Sequence, residues 1–236
     1  MDEAHWYVEI MNLFQREAAS VEATTLVPAC PGWDTHDLVA HQAHQLSSAC
    51  DGTFPVQDSV DAMVAVEVDE RQAARVRQDQ WTSEGVRARR DTPLVVLMAE
   101  WRRLAADAPA EALSALFPDM AVHFFDLLGT GGNSAYRDHA FIVPVLLFWT
   151  GFAEVRLQQS GRGPIRLELI ATPSGEDSIG PAHATVVVAG TPFELLRAIV
   201  GRRSLRRARD LRWDGADRVA LESFAVYGWR SEDLDE

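Results

Sequence analysis

Residues 33–45 read WDTHDLVAHQAHQ and put three of the chain's seven histidines, His36, His41 and His44, on one short segment. Asp34 stands just before the first periodic apolar residue. This is the place of an N-cap, whose side-chain oxygen accepts from the unbonded N–H groups of a first helical turn. Leu38, Val39, Gln42 and Leu46 mark one stripe of a helix that runs to about Ser48. His41 and His44 are three apart and share a face, with Asp37 one turn earlier and Gln45 beside them, while His36 points elsewhere. His41 borders the apolar stripe, where an unpaired imidazole is costly unless something accepts from it or coordinates it.

An apolar stripe needs other helices to cover it, and the flanking sequence supplies them. Trp6, Ile10, Leu13 and Phe14 recur at helical spacing over residues 3–19, before VPACPGW (27–33) breaks the pattern with two prolines and a glycine. Ser59 is expected to open a third helix through Met63 and Val66. Thr92 and Pro93 are expected to start another, with Thr92 as the cap and proline at the first helical position, carrying Leu94, Leu97, Met98, Trp101 and Leu104. Pro118 is expected to open the next, which runs to Gly129, Gly131 and Gly132, and an apolar helix spans about Arg137 to Gln158. Long helices joined by short breaks imply a bundle, whose interior is where such folds hold metals and cofactors.

After SGRGP (160–164) the periodicity changes. Ile165, Leu167 and Leu169 alternate with charged residues, and 184–188 is β-branched, so both read as strands. Thr191 and Glu194 form a capping-box pattern around Pro192, with Gly201 as the stop. A strand over Leu205 to Trp213 and a helix over Ala216 to Phe224 complete the expectation. The fold class is therefore α plus α+β: a helical bundle over 1–160 and a small α+β domain over 164–236, with a boundary near residue 162.

With 236 residues, 47% hydrophobic and 24% charged, the chain has the profile of a folded protein with a substantial core. Its net charge of −13 argues against a general nucleic-acid role. There is no lysine, and arginines crowd residues 202–212, RRSLRRARDLR. That stretch reads either as a solvated surface or as a rim that grips a substrate carboxylate. Cys30 and Cys50 lie in no CxxC or nucleophile motif and read as structural. The longest apolar run, Phe141 to Phe152, is bounded by Asp138 and Glu154, and the N-terminus lacks a signal-peptide layout. A cytoplasmic protein with no membrane partner is expected.

The second half of a site lies in PDMAVHFFDLLG (118–129). Asp119 and His123 are four apart on one helical face, close enough for both to reach one ion. A third ligand must come from another helix, and His41 is the best placed. Three ligands leave a position open, as in a catalytic zinc site. Asp126 can orient a ligand imidazole from behind.

Three segments carry a family resemblance. CPGWDTHDLVAH resembles the CPGW…DLVAHL opening of the mycothiol-dependent maleylpyruvate isomerase-like proteins. AVHFFDL resembles their E-x-x-x-H-x-x-D-L segment, and AGTPFELLRAIVGRR is similar to the G-T-x-x-D-L-L-x-x-x-x-G-R-R element of their C-terminal domain. The resemblance implies an N-terminal DinB-like four-helix bundle followed by a sterol-carrier-like α+β domain. Carried over, the metal ligands are His41, Asp119 in the place of a glutamate, and His123. Aspartate is shorter, so the metal must sit nearer its helix or be reached through water. His44 has no counterpart and is a candidate for the pocket lining. The resemblance further implies a divalent metal, zinc by analogy, and mycothiol, a thiol of actinobacteria, as cosubstrate. The expected function is a metal- and mycothiol-dependent isomerase or S-transferase acting on an electrophilic small molecule, with maleylpyruvate-like compounds as one class. The alternatives are a small-molecule or lipid binder lined by Phe193, Leu195, Leu196, Ile199 and Val200, a thiol-independent metal hydrolase, and a relative whose site has decayed.

Overall fold

The computed structural model describes residues 3–172 and 175–234. The chain forms two compact units, one running to Asn133 and one beginning at Ser134.

The first unit is helical: α1 (Glu3–Ala18), α2 (Thr35–Cys50), α3 (Val56–Val64), α4 (Val68–Ala88), α5 (Leu94–Asp107) and α6 (Ala110–Thr130). Helices α1, α2, α5 and α6 form a four-helix core, α1 lying along α6 and α2 packing on both α5 and α6. Helix α1 commits Trp6, Tyr7, Ile10, Met11 and Phe14 to that core. Phe14 meets Trp101 edge to face at 5.3 Å, and Trp101 Nε1 donates to the Tyr7 hydroxyl at 2.9 Å, so the indole's polar end is satisfied where water is excluded. Each such aromatic or aliphatic side chain stabilises the fold by about 1.5–3 kcal/mol on burial.

Helix α6 is the central element. Among the described residues it is the one helix with the length and apolarity of a membrane span, and 72% of its apolar window is buried inside the protein. It runs unbroken through Pro118, which was expected to start it. A proline inside a helix removes one N–H donor and strains the preceding turn. Here strong helix formers in AEALSAL and the burial of Leu113, Leu116 and Phe117 hold that turn in place. Asp119 and His123 therefore stand in mid-helix, away from a helix end.

Asp34 caps α2 as expected. Its side chain accepts from the Asp37 N–H at 2.8 Å, and Asp37 returns the contact to the Asp34 N–H at 3.4 Å. Thr92 does not cap α5, because Pro93 occupies the cap position without a side-chain bond. The Thr92 carbonyl instead accepts from His36 Nε2 at 2.7 Å, which ties the start of α2 to the start of α5. The helix expected from Ser59 begins earlier, at Val56, ends at Val64, and is followed by the largely exposed α4. Helices α3 and α4 pair, and α4 rests on α2.

The second unit holds α7 (Ile142–Gln159), β1 (Ile165–Leu169), β2 (Ser178–Ile179), β3 (Val186–Gly190), α8 (Pro192–Ile199), α9 (Leu205–Ala208), β4 (Arg212–Asp214) and α10 (Arg218–Phe224). The sheet order is β2-β1-β3-β4, with β1 and β3 parallel and both outer pairs antiparallel. Ile165, Leu167 and Leu169 point inward, in the alternation read from sequence. Helix α7, expected to close the bundle, packs on α8 and α10, so the boundary falls after Asn133 instead of near residue 162. The strand expected over Leu205 to Trp213 is a short helix capped by Ser204 followed by the three-residue β4. Thr191 caps α8, but Glu194 does not complete the box: its carboxylate holds Arg203 through Nε at 2.8 Å and Nη2 at 3.1 Å.

The arginine-rich stretch faces the chain's own acids. Arg203 is buried against Glu194, Arg206 pairs with Asp233, and Arg212 pairs with Glu168 at 2.8 Å. Phe193, Leu195, Leu196, Ile199 and Val200 are all buried in the unit's core.

His44 gives a sharp test of the packing between α2 and α4. A methyl group at Gly85 would fall 1.9 Å from the His44 ring. Gly85→Ala gains about 1 kcal/mol of helix propensity, yet overpacking costs about 1–3 kcal/mol. Urea unfolding is expected to show a net loss for G85A and a net gain for G85A in an H44A background. Stabilisation by G85A alone would contradict this packing.

Candidate metal centre

Helix α2 presents His41 and Gln45 one turn apart, and α6 presents Asp119, His123 and Asp126. Where the two helices pack, Asp119 Oδ2 lies 3.8 Å from His41 Nε2 and 3.7 Å from His123 Nε2. It also accepts from Gln45 Nε2 at 2.9 Å. One ligand atom from each of His41, Asp119 and His123 falls within 4.8 Å of the others. Nitrogen and oxygen ligands about 2.1 Å from a tetrahedral cation stand about 3.4 Å apart, so a small inward movement converts this cluster into three corners of a coordination shell. The aspartate oxygen thus stands at similar distances from both imidazoles. The Asp119 side chain is 31% exposed against 6% for His41 and 11% for His123, so the cluster opens to solvent on its carboxylate side.

The donor chemistry fits a divalent cation. His41 is buried, its Nδ1 has no hydrogen-bond partner, and its Nε2 stands 3.8 Å from Asp119 Oδ2, so a metal at Nε2 would displace no established hydrogen bond of the ring. His123 Nδ1 donates to Asp126 Oδ2 at 3.0 Å, which turns Nε2 toward Asp119 and His41. Asp126 thus bonds the ring nitrogen of His123 that faces away from Asp119.

Two further residues come from the loop before α2. The Cys30 N–H donates to the Val27 carbonyl at 2.9 Å, and the Trp33 N–H closes back on the Cys30 carbonyl at 3.0 Å. Pro31 and Gly32, with Gly32 at φ +85°, fill the central positions of a type II turn, where only glycine takes the positive φ readily. The turn sets Trp33 against both imidazoles, with ring centres 4.9 Å from His41 and 6.2 Å from His123. It also sets Cys30 Sγ 3.3 Å from Asp126 Oδ2. The sequence alone makes Cys30 structural and gives Trp33 no role. CPGW spells the turn, but its residues have no helical or strand period that would aim them at a site.

His44 faces the other way. Its ring lies 4.4 Å from that of Trp81, and its Nδ1 is 3.4 Å from Arg89 Nη1, between α2 and α4. Burial and the Arg89 charge push its pKa down to about 4. Cys50 is exposed, and both cysteines are free thiols.

Electrostatics divide the three candidate ligands. Burial pushes His41 down, and the neighbouring His123 charge adds to this, so its imidazole is neutral near pH 7. Burial also opposes charge on His123, but the Asp119 and Asp126 carboxylates raise its pKa to about 10. Burial would raise Asp119, yet His123 and His41 hold it well below the usual carboxylate range. Without metal, a proton therefore sits on His123 where a cation would bind.

Two consequences follow from linkage. The raised pKa of His123 adds stability that is complete below an unfolded value of about 6.5 and is lost as pH rises through about 10. The lowered pKa of Asp119 adds stability above an unfolded value of about 3.9, lost as pH falls through its folded value. Zinc must displace the proton on His123, so calorimetry at pH 7 in buffers of differing protonation enthalpy is expected to find about one proton released per zinc, with affinity falling as pH is lowered. Zinc binding without proton release would contradict this charge state.

The family model described as the mycothiol maleylpyruvate isomerase N-terminal domain matches residues 10–140, more than half of the 236-residue chain. The match takes in the CPGW turn, His41, Asp119, His123 and Asp126 together. No curated protein and no solved structure matches the chain at a significant level. The chain belongs to the mycothiol maleylpyruvate isomerase N-terminal domain family.

Proposed function

We propose that the protein is a metal- and mycothiol-dependent enzyme, an isomerase or S-transferase, whose metal is held by His41, Asp119 and His123. The observation that carries the reading is the approach of Asp119 Oδ2 to both imidazole Nε2 atoms, at 3.8 and 3.7 Å, inside the segment that matches the family. A divalent cation there, zinc on its preference for nitrogen and oxygen donors, supplies the charge that lets a thiol ionise at neutral pH.

The chain's own residues do the rest. Gln45 holds the Asp119 oxygen that faces the histidines. Asp126 keeps a proton on His123 Nδ1 and leaves Nε2 free for the cation. Trp33 lies against both imidazoles and limits the room in which their rings can turn. The partly exposed edge of Asp119 marks the side from which a thiol and its electrophile approach. Maleylpyruvate-like compounds, conjugated acids that a thiol can add to and leave, are one substrate class the family name brings to this site. A reducing cytoplasm suits the reading, since it requires a reduced thiol as cosubstrate and both cysteines of the chain are free.

Metal content and ligand-induced stability test this together. The purified protein is expected to carry one equivalent of divalent metal by mass spectrometry, and H41A and H123A are expected to lose it. Mycothiol is expected to raise the melting temperature of the metal-loaded protein only, with a stabilisation of about 2.7 kcal/mol at one hundred times its dissociation constant. Absence of metal from the wild type, or a mycothiol shift of equal size in metal-free protein, would overturn the proposal. Turnover of an ester or amide without thiol would select a hydrolase instead.

A further inference from the structure

We infer that Cys30 is a positioning residue of the metal centre, acting through Asp126 on His123. The inference rests on the ligand assignment proposed above and concerns a residue that neither the ligand set nor the thiol chemistry uses.

Asp126 is the fixed point. Its side chain is fully buried, and its Oδ2 accepts from His123 Nδ1 at 3.0 Å. The same oxygen accepts from Cys30 Sγ at 3.3 Å, while Sγ lies 3.7 Å from His123 Nδ1. A carboxylate out of reach of water is costly unless donors surround it. The thiol supplies one such donor from the loop before α2, outside the helix that carries both Asp126 and His123, and so adds to the bond from His123 a restraint from a second part of the chain. Restraining Asp126 fixes the ring plane of His123 and keeps the proton on Nδ1, which leaves Nε2 as the coordinating atom. The Cys-Pro-Gly-Trp turn sets Cys30 in place through its bonds to Val27 and Trp33, so one four-residue turn delivers both the donor behind His123 and the indole beside it.

A competing assignment makes Cys30, His123 and Asp126 a second donor set for a metal, since their ligand atoms also lie within 4.8 Å of one another. The geometry favours positioning. His123 Nδ1 is already engaged in a short bond to Asp126, whereas Nε2 faces the partly exposed Asp119. All three members of the second set are buried, so an ion there would have no position open to a substrate, whereas Asp119 of the first set is partly exposed.

The test is zinc affinity, measured by competition with a chromophoric chelator, for wild type, Cys30→Ala and Cys30→Ser. Loss of an outer hydrogen bond to a metal-binding imidazole typically costs 10–100-fold in affinity, so C30A, one contact further out, is expected to weaken zinc binding by roughly 10-fold. C30S keeps a donor at the same position and is expected to recover most of that loss. The metal-free melting temperatures of both variants, taken alongside, separate positioning from packing. A lower metal-free melting temperature of C30A with unchanged zinc affinity would assign Cys30 to packing and overturn the inference. So would equal weakening by C30A and C30S. A thiolate-to-metal charge-transfer band in cadmium-loaded Cys50→Ser protein, where the exposed second thiol cannot supply it, would make Cys30 a ligand and overturn it as well. Wild type that binds zinc while C30A binds equally well defeats this inference alone; wild type that binds none defeats the ligand assignment with it.

Discussion

The packing of α2 against α6 is the constraint on which the site depends. His41 projects from one helix and His123 from the other, and Asp119 Oδ2 stands between their Nε2 atoms at under 4 Å from each. Such side chains meet only where helix axes approach closely, and both helices are buried elements of the core, α2 through Leu38, Val39 and Leu46 and α6 through Met120, Phe124 and Leu127. The apolar core thus fixes the spacing of a polar cluster, and the cluster gains a cation site without any loop having to fold around it.

That arrangement brings an electrostatic conflict which the sequence of charges resolves. Two imidazoles in a dry interior both tend to be neutral, but a carboxylate in front of His123 and another behind it keep that ring charged, while His41 remains neutral. A proton and a metal therefore compete for one nitrogen. Across the site, the His123–Asp119–Gln45 contacts link α6 to α2.

Short-range chemistry was legible in the sequence. The N-cap at Asp34, the four-residue spacing of Asp119 and His123 on one helix and the alternation of Ile165, Leu167 and Leu169 are all local relations, and each is present in the fold. Longer-range relations were not. Pro118 reads as a helix start because proline favours the first turn, but the buried residues on both sides carry the helix through it. Helix α7 is apolar over much of its surface, and an apolar surface does not name its partner, so its place with α8 and α10 could not be read from period alone. His44 shares a face with His41 by spacing, yet a three-residue step turns the helix far enough to aim it at Trp81 and Arg89. Cys30 and Trp33 sit on a turn, where no periodicity marks a direction, and only their bonds in three dimensions bring them to the histidines.

X-ray absorption at the zinc edge of the loaded protein addresses the central claim most directly, because it reads the atoms around the ion. Two imidazole rings, recognised by their outer-shell scattering, should appear with oxygen neighbours at about 2.0–2.2 Å, and one ring should vanish from the spectrum on His41→Ala. A shell of oxygens alone, or imidazole scattering unchanged by that substitution, would contradict the account.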